Sequence, residues 1–418
     1  MKELWSRNTP DRFWQCDLAA SPDSWLTAAR RVSLNLGPGW ADFDELLELI
    51  LGEGQFGPHH WDLSWAKTSY YRVKTVIPRP ILISIRRAYA QIQKREFRLG
   101  WPIESRFVDF LWQVMREMLL LAGQESCRYI PFWPPPYQFA VVLTHDVESA
   151  KGQAYVRAVA DFEEELGFRS SFNLVPERYP IDFALVNELQ QRGFEVGIHG
   201  LRHDGKLTRS WEDFSRGAER VNEYLKQFKA VGFRAPYTLR HPVFMQCLEI
   251  EYDLSFFDTD PYEPIAGGVM TLWPFEIGRF IELPYTLAQD HTLTRLLRHT
   301  TPQVWLDKIN FIQRHHGMAL LNAHPDYLLI PAVGKVYRDF LRALSQYDGY
   351  WQALPRDVAR WWRRRTNRPT GEESPACSKT GQIALTEDGI VLRDIPTRDT
   401  PRPFSTSPSH TPDVGTLC

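Results

Sequence analysis

Two histidines four residues apart, His199 and His203 in H-G-L-R-H, follow the short apolar run FEVGI. On one helical turn, imidazoles at that spacing point the same way and can share a metal ion. Asp146 ends another apolar run, FAVVLTHD, and Glu148 lies two residues on, so it faces the same side if the chain stays extended. A carboxylate at the end of a buried strand needs a reason, because burying it unpaired is costly. Arg234, in GFRAPY, could neutralise such a carboxylate, and His324 ends a further apolar run, MALLNAHP. An imidazole pair, two carboxylates, a guanidinium and a third imidazole suit metal-assisted hydrolysis, with acid and base both at hand.

Those residues must be carried to one rim, and the pattern between them supplies the means. From about residue 137, short apolar runs alternate with helical stretches: FAVVLTHD, AYVRAVADFEEELG, SSFNLVP, FALVNELQQRG, FEVGIH and WEDFSRGAERVNEYLKQF. AVGFRAP, YDLSFFDTD and RFIELPYT then read as strands, VWLDKINFIQRHHG as a helix and MALLNAHP as a last strand. Strands alternating with helices imply βαβ units and a parallel sheet. The expected fold is α/β, an incomplete (β/α) barrel with its chemistry at the C-terminal ends of the strands. Ser210, three residues before Asp213, is a helix-capping serine in this reading, and Gly193 closes the preceding helix.

Five segments, in order, resemble the polysaccharide deacetylase superfamily, the NodB-type carbohydrate esterases. That family carries a T-F-D-D strand end, an H-[ST]-x-x-H pair, an R-x-P-[YF] strand, an aspartate–tryptophan region and a final L-x-x-H. Here stand T-H-D-V-E at 144–148, H-G-L-R-H at 199–203, R-A-P-Y at 234–237, D-T-D at 258–260 followed by Trp273, and L-N-A-H at 321–324. The resemblance covers about 190 residues, and FIELPYTLAQDHTL adds likeness to a bacterial surface-glycan subgroup. It implies that His199 and His203 bind one divalent metal, zinc by expectation, together with a carboxylate of the first motif. It further implies a second carboxylate as general base, Arg234 holding that base, oxyanion stabilisation near Tyr237, and His324 protonating the departing amine. Tyr237, Asp260 and Trp273 are the expected substrate contacts. Asp258 or Asp260 could orient His324.

Two departures matter. Val147 stands where the family has its metal-binding aspartate, so either Glu148 or Asp146 is the ligand and the other assists. Gly200 replaces the usual Ser or Thr after the first histidine. Three functions therefore compete. The first is a deacetylase acting on an N-acetylated sugar in glycan biosynthesis, nucleotide- or lipid-linked. The others are a hydrolase of another small amide on the same fold, and a non-catalytic glycan-binding module.

Composition bounds the setting. The 418 residues, 43% hydrophobic and 24% charged, fit a globular chain too long for one small core. The formal charge of −2 gives no reason to expect a nucleic-acid partner. Five scattered cysteines without a CxxC pair suggest reduced thiols. MKELWSRNTPDRFWQ has no apolar signal run, so a cytoplasmic location is expected. Fifteen tryptophans suit an aromatic core better than a sugar-stacking surface. Residues 1–136 form a mostly helical region ending at PFWPPPY, 137–365 the barrel domain, and 366–418 a disordered tail except for a hairpin turning at Asp388-Gly389. Residues 67–98 carry nine Lys or Arg and one acid; Ile81, Ile85, Tyr89 and Ile92 fall near one helical face, a candidate for peripheral contact with an anionic membrane.

Overall fold

The computed structural model describes residues 2–32, 39–58, 60–62, 79–367 and 380–394. Every residue of the strand Phe139–Val147 (β2) is buried, as an uninterrupted apolar run requires of a central strand. It pairs in parallel with Met318–Ala323 (β9) along one edge. Along the other it pairs with Ser170–Leu174 (β3) and, nearer its start, Tyr350–Gln352 (β10), both in parallel. From β3 the sheet continues in parallel through Glu195–Ile198 (β4), Gly232–Phe233 (β5), Tyr252–Asp253 (β6) and Phe280–Glu282 (β8). Phe275–Ile277 (β7) pairs antiparallel with β8 and completes nine strands. The curled sheet is stitched together by isolated parallel bridges, Phe257 to Tyr285 and Leu287 to Leu321. This is the incomplete α/β barrel that the strand–helix alternation implies.

Helices Ala150–Glu165, Phe183–Gln191, Trp211–Phe228 and Gln303–Arg314 separate the strands. Three begin on a side-chain cap: Ser149 accepts from Gly152 N–H, Asp182 from Leu185 N–H and Ser210 from Asp213 N–H. Two further helices, Pro331–Leu344 and Pro355–Thr366, have amphipathic patterns that the strand–helix reading passed over. The second buries Arg365, which donates to the carbonyls of Phe13, Ile130 and Pro131 and so ties the barrel to the N-terminal region.

That region contains the helices Pro22–Arg31, Phe43–Ile50, Arg79–Glu96 and Arg106–Ala122. It shares one continuous apolar core with the barrel. Trp273 is at the junction, wholly buried, 5.4 Å from the Trp112 ring and 4.9 Å from Phe13, and its indole N–H donates to His316 O. Such aromatic pairs contribute ~0.5–1.5 kcal/mol each beyond area burial. Trp273 is therefore a core residue and not a substrate contact, because its polar edge is already spent on the backbone.

The expected hairpin forms as Gly381–Thr386 (β11) and Gly389–Asp394 (β12). Thr386 pairs with Gly389, so the turn falls on Glu387-Asp388, one residue earlier than read from the sequence. β11 also pairs antiparallel with Ser126–Tyr129 (β1), and Ile383 is fully buried against it. This part of the tail is thus docked on the fold, while the disorder expected of 368–379 and 395–418 lies outside the described residues. So does the stretch 67–78 of the basic segment. Among the described residues no helix is long and apolar enough to cross a membrane.

Candidate active site

The site begins with the alternation of β2. His145 and Val147 face the surrounding helices, where His145 Nε2 lies 2.7 Å from Glu163 Oε1 and Val147 is fully buried. Thr144 and Asp146 face the opposite side. A carboxylate at position 147 would therefore miss the cleft. Glu148, just past the strand, returns to the side of Asp146, and its backbone N–H is pinned 2.9 Å from Asp326 Oδ2.

His199 follows β4 directly, its N–H donating to Leu174 O at 2.7 Å. Its Nδ1 lies 3.1 Å from Arg234 O, and with the proton there Nε2 presents a lone pair to the cleft. The expectation that His203 joins it on a helical turn is corrected. Residues 199–205 are not helical: 201–205 are a series of bends, with φ of +63° at Gly200 and +53° at His203. The imidazoles nonetheless meet, with ring centroids 4.9 Å apart. Gly200 is explained by the same geometry: a Cβ there would lie 2.4 Å from Pro236 Cγ. Tyr237 backs the loop, its ring 4.3 Å from that of His203 and its hydroxyl donating to His203 O at 3.1 Å.

The two carboxylates have different surroundings. Glu148 Oε1 is 3.0 Å from His203 Nε2, and Glu148, His199 and His203 offer ligand atoms all within 4.8 Å of one another. Two imidazole nitrogens and one carboxylate oxygen suit a catalytic zinc-like ion, leaving positions open for water and substrate. Asp146 is instead held by three donors. Its Oδ1 accepts from Asn173 Nδ2 at 3.0 Å and Arg234 Nη1 at 3.1 Å, and its Oδ2 from Asn322 Nδ2 at 2.8 Å. His199 Nε2 lies 3.7 Å from Oδ2. Arg234 is itself fixed by Leu254 O, Thr144 Oγ1 and Asn322 Oδ1.

Burial works against ionising Asp146, but Arg234 and the nearby imidazoles outweigh it and hold the carboxyl far below the usual range. Glu148 is likewise held low against burial, chiefly by His203. Burial is also the main force on His199, pushing it down to about 4 against the pull of Asp146, so it is neutral and able to bind a cation.

His324 follows β9. Burial disfavours its charge, yet Asp290 first, then Glu148 and Asp146, push its pKa up to about 10. Asp290 Oδ1 is 2.7 Å from His324 Nδ1, and Asp290 Oδ2 accepts from the His324 backbone N–H at 3.0 Å. Nε2 is left facing the cleft, 3.9 Å from Glu148 Oε1. Neither Asp258 nor Asp260 orients His324: Asp258 pairs with Lys308 Nζ at 2.6 Å, and Asp260 accepts from the Tyr285 hydroxyl at 3.0 Å. Asp260 is fully buried and out of a substrate's reach, which corrects its expected contact role. Burial, together with neighbouring Glu263, pushes it up to about 8.

The structure therefore gathers Asp146, Glu148, His199, His203, Arg234, Tyr237 and His324, and separates Asp260 and Trp273 from them. Sequence reasoning missed Asn173, Asn322, Asp290 and Asp326. Asn173 and Asn322 are polar residues inside apolar strands, and a period-two reading from His324 back to Asn322 would have marked the latter. Asp290 caps the short π-helix His291–Leu296, with no strand to register it.

No family model matches the chain, and no curated protein matches it. Among solved structures it is similar to a Mycobacterium smegmatis protein described as a polysaccharide deacetylase, at 19% identity and TM-score 0.45, covering 58% of this chain and 96% of that one. A Pseudomonas aeruginosa PAO1 protein of the same description has 16% identity and TM-score 0.45, covering 56% and 94%. A Puue allantoinase has 14% identity and TM-score 0.43, covering 59% and 95%. Likenesses this distant bear on neither activity nor substrate, which rest on the site itself.

Proposed function

We propose that this chain is a metal-dependent hydrolase that removes an acetyl group from an N-acetylated sugar in glycan biosynthesis. The observation that carries the reading is the division between the two first-motif carboxylates: Glu148 groups with His199 and His203, while Asp146 is clamped by Arg234, Asn173 and Asn322. In this assignment Glu148, His199 and His203 hold a divalent cation, zinc by their donor set, and Asp146 is the general base. The cation, when bound, supplies Lewis acidity that acidifies water towards a pKa of ~7 and polarises the amide carbonyl.

Asp146 takes the proton of the attacking water as its oxygen bonds to the acetyl carbon. Arg234 keeps Asp146 aimed through that step. His324, protonated at neutral pH and held by Asp290, gives its Nε2 proton to the amine nitrogen as the C–N bond breaks. Tyr237 is assigned to the rim facing the acetyl group. Products are acetate and the free amino sugar.

The two sequence departures no longer favour a non-catalytic module, since Val147 faces away from the cleft and Gly200 is required by Pro236. The proposed setting is the cytoplasm; Cys16, Cys127 and Cys247 are free thiols. Peripheral contact with an anionic membrane through 67–98 is part of the proposal, supported by the exposure of Tyr89 and Ile92 on the helix Arg79–Glu96. Acetate release from nucleotide-linked and lipid-linked N-acetyl sugars, with zinc-loaded and chelator-treated protein, tests the reading. Zinc-dependent release from either class supports it. Release from neither, alongside turnover of a small cyclic amide, would transfer the site to the other reaction.

A further inference from the structure

Glu53 belongs to the N-terminal region, just past the helix Phe43–Ile50, yet its carboxylate is held by the barrel. Oε2 accepts from Arg240 Nε at 2.8 Å and Oε1 from Arg240 Nη2 at 2.5 Å, and both side chains are fully buried. Gly268 N–H donates to Oε1 at 2.8 Å and the Trp61 indole to Oε2 at 3.2 Å. A Cβ on Gly267 would lie 2.5 Å from Oε1, so the slot is cut to this carboxylate. A buried ion pair is poor evidence of stability, because apolar residues of like volume often do as well. What Arg240 holds is more informative.

Its remaining nitrogen, Nη1, donates to Thr238 O at 3.2 Å, the same carbonyl that accepts from Arg240 backbone N–H at 2.9 Å. Thr238 and Tyr237 are consecutive left-handed residues, with φ of +51° and +58°. Side-chain-bearing residues stay in that region only where their surroundings over-determine them, and such strain gathers at functional sites. On its other side this turn bears on the metal loop at two points. Pro236 packs where a Cβ on Gly200 would lie, 2.4 Å from Cγ. Tyr237 sets its ring 4.3 Å from that of His203 and its hydroxyl on His203 O. Among the described residues nine other than glycine have positive φ, and four of them, Glu53, His203, Tyr237 and Thr238, fall on this one line. The strain therefore runs from the N-terminal region to a metal-binding imidazole.

We propose that Glu53 is a positioning residue for the metal centre: through Arg240 it braces the turn Pro236–Thr238, which keeps His203 aimed at the cation. The N-terminal region is thereby part of the active site as well as of the core. This rests on the reading of Glu148, His199 and His203 as the cation site, and one arm of its test needs no metal.

The test uses the full-length protein and the variant Glu53→Gln/Arg240→Met. That pair of changes leaves no buried charge unpaired and keeps an acceptor for Gly268 N–H, while methionine suits a site lined by the Phe256 and Phe257 rings. Leu119→Ala, a cavity in the fully buried core of the helix Arg106–Ala122, is the control for lost stability alone. Thermal melting ranks the three proteins, and competition with a chelator measures zinc affinity in each. Amide hydrogen exchange of residues 199–205 and 236–240 is then followed on the zinc-free wild type and double variant. Removing the partner of a metal-binding histidine typically weakens the metal roughly 10–100-fold, and the double variant is expected at the low end, about 10-fold, because it acts through the turn. Both segments should exchange faster in it, while Leu119→Ala loses stability and keeps wild-type zinc affinity. Wild-type zinc affinity or unchanged exchange in the double variant overturns the brace, as does an equal loss of zinc affinity in Leu119→Ala. A wild type that binds no zinc would instead sink the metal-site reading, and exchange would still decide whether Glu53 holds the turn.

Discussion

Placing a serine at position 200 is expected to damage this protein. Gly200 has φ of +63°, and a Cβ there would meet the rigid Pro236 ring at 2.4 Å from Cγ and 2.7 Å from Cδ. An L-residue in the left-handed region costs about 1–2 kcal/mol. Crowding a packed site costs about 1–3 kcal/mol more. For 418 residues the unfolding entropy is roughly 0.9 kcal/mol/K, so Gly200→Ser lowers Tm by about 2–6 °C. The loop can relieve the strain only by moving, and it carries His203, so zinc affinity falls at least ~10-fold if ~1.4 kcal/mol of the strain is released at the ligand. Differential scanning calorimetry and a competitive zinc titration read the two effects, and Gly200→Ala should behave like the serine variant because the cause is the Cβ. A Gly200→Ser protein with unchanged Tm and unchanged zinc affinity would refute the steric account and restore the missing hydroxyl as the better explanation.

Asp290→Asn removes the charge that holds His324 protonated, so kcat is expected to fall roughly 10²–10⁴-fold with bound zinc retained; loss of zinc instead would move Asp290 into the metal site. Asp260 has its pKa raised to about 8, above an ordinary ~3.9, so its contribution to stability is full below about pH 4 and is lost as pH rises towards 8. Asp260→Asn should therefore flatten the decline of stability across that range in denaturant titrations, and an unchanged slope would show that other groups cause it. Deleting residues 380–418 uncovers β1 and removes the fully buried Ile383, a loss of about 1.5–3 kcal/mol from that side chain. The melting temperature should drop measurably; no change would mean that the hairpin adds nothing to the fold.

Much of the barrel was legible because its strands are buried on both faces and read as apolar runs between amphipathic helices, with Asp146, His199, Arg234 and His324 each marking a strand end. Where the ladder shrinks, so did the signal: β5 and β6 are two residues long, and β10 is three half-buried residues. The imidazole pair was found through its spacing although the assumed helical turn is absent, because left-handed residues at Gly200 and His203 bring the rings together another way. Trp273 and Asp260 were misplaced because motif order says nothing about depth, and both are buried. Asp290 was invisible because its partnership with His324 is made across 34 residues from a helix cap, whereas Asn322 was available to a strict alternation argument. The N-terminal region was separated by texture at PFWPPPY, yet its aromatic residues complete the barrel's core, a dependence that local composition does not encode.

The central claim is that Glu148 binds the cation while Asp146 acts as base, and paired substitutions measure it. An amide oxygen is a much poorer ligand for a divalent cation than a carboxylate, and an amide cannot accept water's proton at neutral pH. Zinc content and acetate release should be determined on Glu148→Gln and Asp146→Asn purified side by side. The account predicts that Glu148→Gln loses its zinc, while Asp146→Asn keeps zinc and loses turnover. The reverse pattern would exchange the two roles, and full zinc with full turnover in both variants would contradict the assignment of this site altogether.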